Sequence, residues 1–228
     1  MELGGLQKLT LLDFPGRLAC TAFTVGCNFR CPWCHNGSLV RRTAETFDVS
    51  ELLAFLRKRR GVLDGVCISG GEPLLHDGLA DTLRAVKDLG YAVKLDTNGS
   101  FPDKLRQLVE ANLVDYVAMD VKNCREHYGV TAGVPDLDVS PIVESVSYLL
   151  SEPVEFEFRT TVVRQFHNRE NLEALARWIA GARRYFLQSF VDGETLLSRG
   201  CTGLSPQEME DLRQAVLPWV PSAELRGT

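Results

Sequence analysis

No apolar stretch in this sequence is long enough to cross a membrane. The apolar runs among the 228 residues fall well short of the roughly 18 consecutive apolar residues that a membrane-spanning helix requires. The first residues, 1–5, also lack the basic segment and the apolar segment of a secretory signal. We therefore expect a cytoplasmic protein without a membrane partner.

The sequence has no excess of positive charge. Lys and Arg number 25 against 30 Asp and Glu, which gives a formal net charge of -5 at pH 7. Such a chain has no global field that would attract a phosphate backbone. We therefore expect no nucleic acid among its partners.

Low-complexity segments, long linkers and internal repeats are also absent. With 45% hydrophobic and 24% charged residues, the composition is that of an ordinary globular protein. A length of 228 residues fits one substantial domain. We therefore predict a single domain over residues 1–228.

Short apolar runs alternate with amphipathic segments along most of the chain. The apolar runs predict six strands, at residues 18–25, 65–69, 92–97, 116–121, 154–163 and 185–189. The amphipathic segments predict six helices, at residues 50–59, 79–89, 103–111, 141–150, 170–180 and 205–217. The last helix has the clearest start, because Ser205, Pro206 and Glu208 match a capping box with proline at the first helical position. The alternation predicts an α/β fold of parallel βα units, in an open sheet or in a full or partial barrel.

Polar motifs follow directly after four of the predicted strands, at residues 27–34, 69–73, 96–99 and 120–122. Parallel βα folds place their binding and catalytic residues in the loops at the carboxyl ends of the strands. Each motif alone is also compatible with an ordinary turn or a surface ion pair. Their common position predicts one functional rim.

The seven cysteines are an odd number in a chain without an export signal, which argues against a disulfide framework. Cys20 and Cys67 lie in apolar runs, and we expect them to be core residues. Cys27, Cys31 and Cys34 crowd into eight residues. We expect the chemistry of the protein at this cluster.

The three clustered cysteines are compatible with four kinds of site. Cys31 and Cys34 have the spacing of a thioredoxin-type redox pair, and with His35 they match a c-type haem attachment pattern. Cys27, Cys31, Cys34 and His35 together could supply four zinc ligands, although without the paired spacing typical of zinc modules. Thiolates at short spacing on one loop also ligate iron–sulfur clusters, and three thiolates for four irons leave one iron open. An electron carrier, a zinc-bearing interaction domain and a catalytic cluster are therefore all open on these residues alone.

A wider pattern resembles one family. The spacing Cys-x3-Cys-x2-Cys, with Trp33 before the third cysteine, and the motif Gly-Gly-Glu-Pro at residues 70–73 resemble the radical S-adenosylmethionine (SAM) superfamily. The resemblance covers residues from about 10 to about 197 and implies a partial (β/α)6 barrel of the TIM type. It also implies one [4Fe–4S] cluster held by the three cysteines, with SAM bound to the fourth iron.

Within this superfamily, the chain is similar to the activating enzymes of glycyl-radical proteins, above all to those of anaerobic ribonucleoside-triphosphate reductase. The similar segments are residues 12–16, 26–36, 95–99 and 119–122. The resemblance implies reductive cleavage of SAM to a 5′-deoxyadenosyl radical, which abstracts a hydrogen atom from a glycine of the partner enzyme. It also implies flavodoxin or ferredoxin as the electron donor. The alternative is a radical SAM enzyme that acts on a small molecule, similar to 7-carboxy-7-deazaguanine synthase.

The remaining cysteines limit the number of clusters. Many related activases carry further cysteine groups in an inserted domain, but only Cys67 lies between Cys34 and Gly70 here. After Gly70 only Cys124 and Cys201 remain. We therefore expect a single cluster.

The resemblance also implies roles for residues outside the cysteine motif. Glu72 would accept a charge-assisted hydrogen bond from the SAM ammonium group, and Gly70 and Gly71 would let the backbone approach closely. Three residues are similar to those that surround a monovalent cation in related activases, where oxygen ligands suit such an ion: Asp96, Thr97 and Asp120. The other expected SAM-binding residues are Trp33, Asn98, Lys122, Arg159 and Gln188.

Overall fold

One sheet runs through the part of the chain that the computed structural model describes, residues 1–193 and 195–227. Its nine strands are β1 (Glu2–Thr10), β2 (Ala19–Thr24), β3 (Phe47–Asp48), β4 (Gly65–Gly70), β5 (Ala92–Thr97), β6 (Tyr116–Asp120), β7 (Glu155–Val162), β8 (Tyr185–Ser189) and β9 (Ala223–Arg226). They lie in the order β3-β1-β2-β4-β5-β6-β7-β8-β9. Every neighbouring pair from β2 to β9 is parallel, whereas β1 is antiparallel to β2 and to β3. The parallel strands therefore all end at the same edge of the sheet.

Helices connect the parallel strands. Within the described residues they are α1 (Gly37–Arg41), α2 (Val49–Lys58), α3 (Leu79–Asp88), α4 (Pro102–Glu110), α5 (Tyr128–Ala132), α6 (Ser140–Leu150), α7 (Arg169–Trp178) and α8 (Pro206–Val216). Short 3-10 helices form at Pro73–Leu75 and Arg125–His127. None of these helices combines the length and the apolar character that crossing a bilayer demands. The predicted α/β fold is confirmed, and β2 with β4 to β8 forms the partial (β/α)6 barrel.

The predicted elements agree closely with the observed ones. The six predicted strands are β2, β4, β5, β6, β7 and β8, and the six predicted helices are α2, α3, α4, α6, α7 and α8. Amphipathic patterning explains this agreement: in α3, Leu79, Leu83 and Val86 recur at helical spacing and are buried. The predicted capping box is confirmed, because Ser205 and Glu208 each accept a hydrogen bond from the other's backbone N–H.

Sequence patterns do not predict β1, β3, β9, α1 or α5. Strand β1 contains Gly4 and Gly5, which weaken local strand propensity, and its pairing with β2 supplies the structure that its sequence lacks. Strand β9 has only four residues and forms by pairing with β8. Tertiary pairing therefore adds strands on both sides of the predicted six.

Phe14 packs against the amino-terminal ends of the parallel strands. Its side chain is buried with Ala19, Ala92 and Tyr116, the residues that begin β2, β5 and β6. Gly65 at the start of β4 makes room for it, since a Cβ there would lie 2.9 Å from the Phe14 ring. The segment around Phe14 therefore closes the end of the barrel opposite to the polar motifs.

All seven cysteines lie within the described residues and are free thiols. Cys20 on β2 and Cys67 on β4 have no exposed surface. The prediction that these two are core residues is confirmed.

Candidate active site

A cavity of about 260 Å³ lies at the carboxyl ends of the parallel strands. Every site residue predicted from the sequence lines it, with the exception of Glu72: Cys27, Cys31, Trp33, Cys34, Gly70, Gly71, Asp96, Thr97, Asn98, Asp120, Lys122, Arg159 and Gln188. The lining also includes Phe29, His35, Asn36, Val40 and Ser69. The four polar motifs therefore meet at one rim, as parallel βα units require.

Backbone hydrogen bonds fix the loop that carries the three cysteines. At its start, the Gly26 N–H donates to Leu39 O at 2.8 Å, and in its middle the Arg30 N–H donates to Ala132 O at 2.8 Å. The second contact is so close that a Cβ on Gly133 would lie 2.2 Å from Arg30 O. The short helix α5, which ends at Ala132, therefore supports the cysteine loop.

The segment after β8 contacts the same loop. The Leu197 N–H donates to Cys34 O, and the Ser198 N–H donates to Pro32 O, both at 2.9 Å. The Arg41 guanidinium donates in turn to Leu197 O. No local sequence pattern could reveal this support, because the two segments are far apart along the chain.

Burial raises the pKa of all three thiols in the loop. The pKa of Cys27 rises to about 11 and that of Cys31 to about 12, and the pKa of Cys34 is also raised. The positive charge of Lys122 opposes this effect at each thiol. The free thiols are therefore protonated at neutral pH, and a metal that binds them displaces the protons.

The arrangement of the thiols fits a cluster of several irons. Across the described residues, no three His, Cys, Asp or Glu side chains converge to hold one metal ion. A [4Fe–4S] cluster makes a different demand, because each thiolate ligates a different iron and the sulfur atoms stay apart around one space. Cys27, Cys31 and Cys34 all line one cavity, as such a cluster requires. Beside them, the buried Nε1–H of Trp33 has no partner among the described residues, so a bound group can supply its acceptor.

The glycines of the Gly-Gly-Glu motif pack directly on the backbone that leads to Cys27. The Gly71 N–H donates to Thr24 O, and the Glu72 N–H donates to Gly26 O, each at 2.9 Å. Gly70 has a φ of +113°, and a Cβ on Gly71 would lie 1.9 Å from Gly26 O. Only glycine fits this contact, which joins the end of β4 to the start of the cysteine loop.

Glu72 lies behind the wall of the cavity. Its side chain is fully buried. Oε1 accepts hydrogen bonds from Thr97 Oγ1 at 2.8 Å and Leu74 N at 3.1 Å, and Oε2 accepts one from Asn98 N at 2.7 Å. Three protein donors thus contact the carboxylate, and the expected contact between Glu72 and a SAM ammonium group stays a prediction. Glu72 positions Thr97 and Asn98, which do line the cavity.

Asn98 connects the loop after β5 to the cysteine loop. Its Nδ2 donates to Asn28 Oδ1 at 2.9 Å and lies 3.9 Å from Cys27 Sγ. Asn28 donates to Ser100 Oγ at 2.8 Å, and Ser100 donates back to Asn98 Oδ1. Asn28 and Ser100 were not predicted as site residues, since an Asn next to a cysteine and a Ser in a turn carry no distinctive signal.

Two carboxylates and two cationic side chains form the floor of the cavity, and a third cation, Lys94, pairs with one of the carboxylates outside the lining. Asp96 pairs with Lys94 and, at 3.2 Å, with Arg159 Nη1. Asp120 pairs with Arg159 Nε at 2.9 Å and with Lys122 Nζ at 3.0 Å. Burial would raise the pKa of both carboxyl groups, but the neighbouring cations lower the pKa of Asp96 and hold that of Asp120 at about 2. With every carboxylate oxygen engaged by a side-chain cation, the expectation of a monovalent metal ion here has no support.

Lys94 supports this floor through its ion pair with Asp96, and the sequence prediction omits it. Its side chain is only 1% exposed, and it lies on β5 two residues before Asp96. Residues two apart on a strand point to the same face. The two-residue spacing could therefore have indicated that Lys94 lies beside Asp96. The apolar residues around Lys94, however, predict only a core strand.

Comparison with known proteins agrees with this geometry. Residues 21–179, well over half of the chain, match the family model of the radical SAM superfamily. The chain therefore belongs to the radical SAM superfamily. A Methanocaldococcus jannaschii protein with the provisional name glycyl-radical enzyme activating enzyme is 31% identical over 195 residues, which are 82% of this chain and 79% of that protein. Within the superfamily, this chain is an enzyme of the glycyl-radical activating type.

Two further likenesses are more limited. The pyruvate formate-lyase-activating enzyme of Clostridium pasteurianum is 30% identical over 128 residues, 54% of this chain and 52% of that protein. The solved structure of Streptococcus suis SuiB bound to precursor peptide SuiA superposes with a TM-score of 0.72 over 95% of this chain and 50% of that chain, at 15% identity. At this identity the structural likeness shows the fold alone, and the shared fold is the partial barrel.

Proposed function

We propose that this enzyme binds one [4Fe–4S] cluster through Cys27, Cys31 and Cys34 and binds SAM at the open iron, in order to take a hydrogen atom from a glycine of a partner enzyme. The observation that carries the proposal is the meeting of three thiols, the Gly-Gly-Glu backbone and a charged floor around one cavity. When bound and reduced, the cluster supplies the electron that cleaves SAM to methionine and a 5′-deoxyadenosyl radical.

The floor of the cavity suits the carboxylate of SAM. Two cationic side chains, Arg159 and Lys122, line the cavity beside Asp96 and Asp120. Lys122 also lies 5.0 Å above the Trp33 ring, between the floor and the cysteine loop. An anionic group that enters the cavity therefore gains a charge-assisted contact.

The backbone around the cavity orients the ligand and excludes water. Gly70 and Gly71 bring the chain close to the cysteine loop without side chains in between. Glu72 holds Thr97 and Asn98 at the wall. Cys31 and Trp33 are each at most 7% exposed. A site with such buried walls protects a reactive radical from side reactions.

We further propose anaerobic ribonucleoside-triphosphate reductase as the partner that receives the radical. Support comes from the motif segments at residues 12–16 and 26–36, which resemble the activases of that reductase. Flavodoxin or ferredoxin as the electron donor, and a cytoplasmic location, stay predictions from the sequence.

Anaerobic reconstitution with iron and sulfide tests the cluster and the SAM site. The EPR spectrum of the reduced protein should show a [4Fe–4S] signal that SAM alters. Cys31→Ala should abolish this signal, and the matched control Cys201→Ala should retain it, because Cys201 is as buried as Cys31 but lies outside the cavity. A cluster indifferent to SAM, or zinc in place of iron, would contradict the proposal.

A second experiment tests the partner. The reduced protein with SAM is incubated with anaerobic ribonucleotide reductase and, separately, with pyruvate formate-lyase, and each mixture is examined for a glycyl-radical EPR doublet. We expect the doublet with the reductase. SAM cleavage without a doublet on either protein would instead favour a small-molecule substrate.

A further inference from the structure

Arg159 bridges the two carboxylates of the cavity floor. Its Nη1 lies 3.2 Å from Asp96 Oδ2, and its Nε lies 2.9 Å from Asp120 Oδ1. Sheet register sets up this contact, because Arg159 on β7 is the direct neighbour of Asp120 on β6. The guanidinium is therefore placed between the two acidic groups by the strands themselves.

The outer sides of both carboxylates are also occupied. Lys94 pairs with Asp96 Oδ1, and Ser69 Oγ donates to Asp96 Oδ2 at 3.1 Å. Lys122 pairs with Asp120 Oδ2 at 3.0 Å. The Arg159 and Asp96 side chains are 14% and 13% exposed and that of Asp120 is 32% exposed, so the contact with Asp96 is the better shielded from solvent.

Two ionised carboxylates at such close range need a cation between them. A free metal ion could be this cation, but it would have to compete with the Arg159 guanidinium, which strand β7 places beside Asp120. Arginine suits this position because its planar fork donates in two directions at once and stays charged at all relevant pH values. The neighbouring acids further raise the pKa of Arg159.

We propose that Arg159 is the built-in counter-cation of this floor, so that the enzyme organises the cavity and binds SAM without a monovalent metal ion at Asp96 and Asp120. This inference deepens the proposed function, since it concerns the same SAM site. Arg159 acts as a positioning residue that holds the two acids, whose orientation in turn fixes Lys122.

The first test measures thermal unfolding of the full chain before cluster loading. Solutions contain NaCl, KCl or tetramethylammonium chloride at equal ionic strength, so that general screening is constant. The wild-type protein should melt at the same temperature in all three salts. Arg159→Met should melt about 10 °C lower, because it leaves two partly buried acids, Asp96 and Asp120, without their shared partner. Na⁺ or K⁺ should restore part of this loss, by roughly 3 °C or more relative to tetramethylammonium.

Arg164→Met is the matched control. Arg164 also pairs with a carboxylate through two nitrogen atoms, but its partner is Glu208 and its side chain is 49% exposed. Its replacement should shift the melting temperature by less than about 3 °C and create no preference among the salts. If Arg159→Met melts like the wild type, the proposed bridge is refuted.

The second test uses the wild-type protein with its cluster, which removes the risk that a variant fails to fold. SAM binding is measured by calorimetry in the three salts, and the dissociation constants should agree within about twofold, well under the tenfold step of 1.4 kcal/mol. Binding that is tenfold tighter in Na⁺ or K⁺ than in tetramethylammonium would overturn the inference. Absence of SAM binding in every salt would instead contradict the proposed function. The unfolding experiment would still show whether Arg159 bridges the two carboxylates.

Discussion

Replacing Glu72 by glutamine should remove a pH dependence of stability that the buried carboxyl group creates. Burial raises the pKa of Glu72 from 4.5 to about 7, although Asn98, Thr97 and Leu74 donate hydrogen bonds that act in the opposite direction. A carboxyl group with a higher pKa in the folded state stabilises the fold in its protonated form. This contribution is complete below pH 4.5 and is lost as the pH rises through 7.

The size of the effect follows from the two pKa values. A change from 4.5 to about 7 corresponds to about 3 kcal/mol of unfolding free energy, most of which is lost between about pH 5 and pH 8. For a chain of this length, that loss lowers the melting temperature by roughly 6–12 °C. The amide side chain of the Glu72→Gln variant does not titrate, so the difference between the two proteins isolates the contribution of the carboxyl group.

The assay is urea unfolding of the cluster-free full chain at several pH values between about 5 and 8. The stability of the wild type relative to Glu72→Gln should fall steadily across this range. Glu208→Gln is the control: the Arg164 hydrogen bond lowers the pKa of Glu208 to about 2, so its titration lies entirely below the range. Parallel curves for the wild type and Glu72→Gln would refute the raised pKa of Glu72.

Three further substitutions test other contacts. Gly71→Ala should destabilise the protein by about 3 kcal/mol or more, because its Cβ would lie 1.9 Å from Gly26 O; an unchanged urea midpoint would contradict this contact. Phe14→Ala should cost about 3–5 kcal/mol in the same assay and leave the SAM dissociation constant unchanged, since Phe14 packs at the opposite end of the barrel. Asn36→Ala should lose about 1 kcal/mol and weaken SAM binding in calorimetry, because its Nδ2 donates to Gly70 O at 2.8 Å; unaltered binding would show that Gly70 needs no such support.

Patterns in the sequence predict the barrel elements because each of them has a local cause. Strands β4 and β6 are largely apolar segments, and α8 starts at a capping box. Strands β1 and β9, which flank the six predicted strands, have no such cause, since partner strands rather than their own residues determine their conformation. Similarly, α5 has only five residues, which are too few to show a helical pattern in the sequence. Its role becomes clear only in the structure, where Ala132 O accepts a hydrogen bond from the Arg30 N–H.

The position of the site can also be predicted from the sequence patterns, because these patterns give the strands and the motifs that follow them. The contacts between side chains within the site cannot be predicted in this way. Parallel strands bring their carboxyl ends to one edge, so the motifs that follow them must meet. Which atoms then touch depends on side-chain packing. Glu72 illustrates this limit: the motif predicts an acid near the ligand, and only the structure shows that its carboxylate accepts hydrogen bonds from Thr97 and Asn98. Lys94 illustrates the converse, because a charge inside an apolar strand becomes meaningful only when Asp96 is seen beside it.

The plug formed by Phe14 has a consequence for access to the cavity. Phe14 closes the starts of the strands, and the cavity lies at their carboxyl ends. Under the proposed function, SAM and the glycine segment of the partner would both approach the cavity from the carboxyl end. A partner bound there would then cover the site from which methionine and 5′-deoxyadenosine leave.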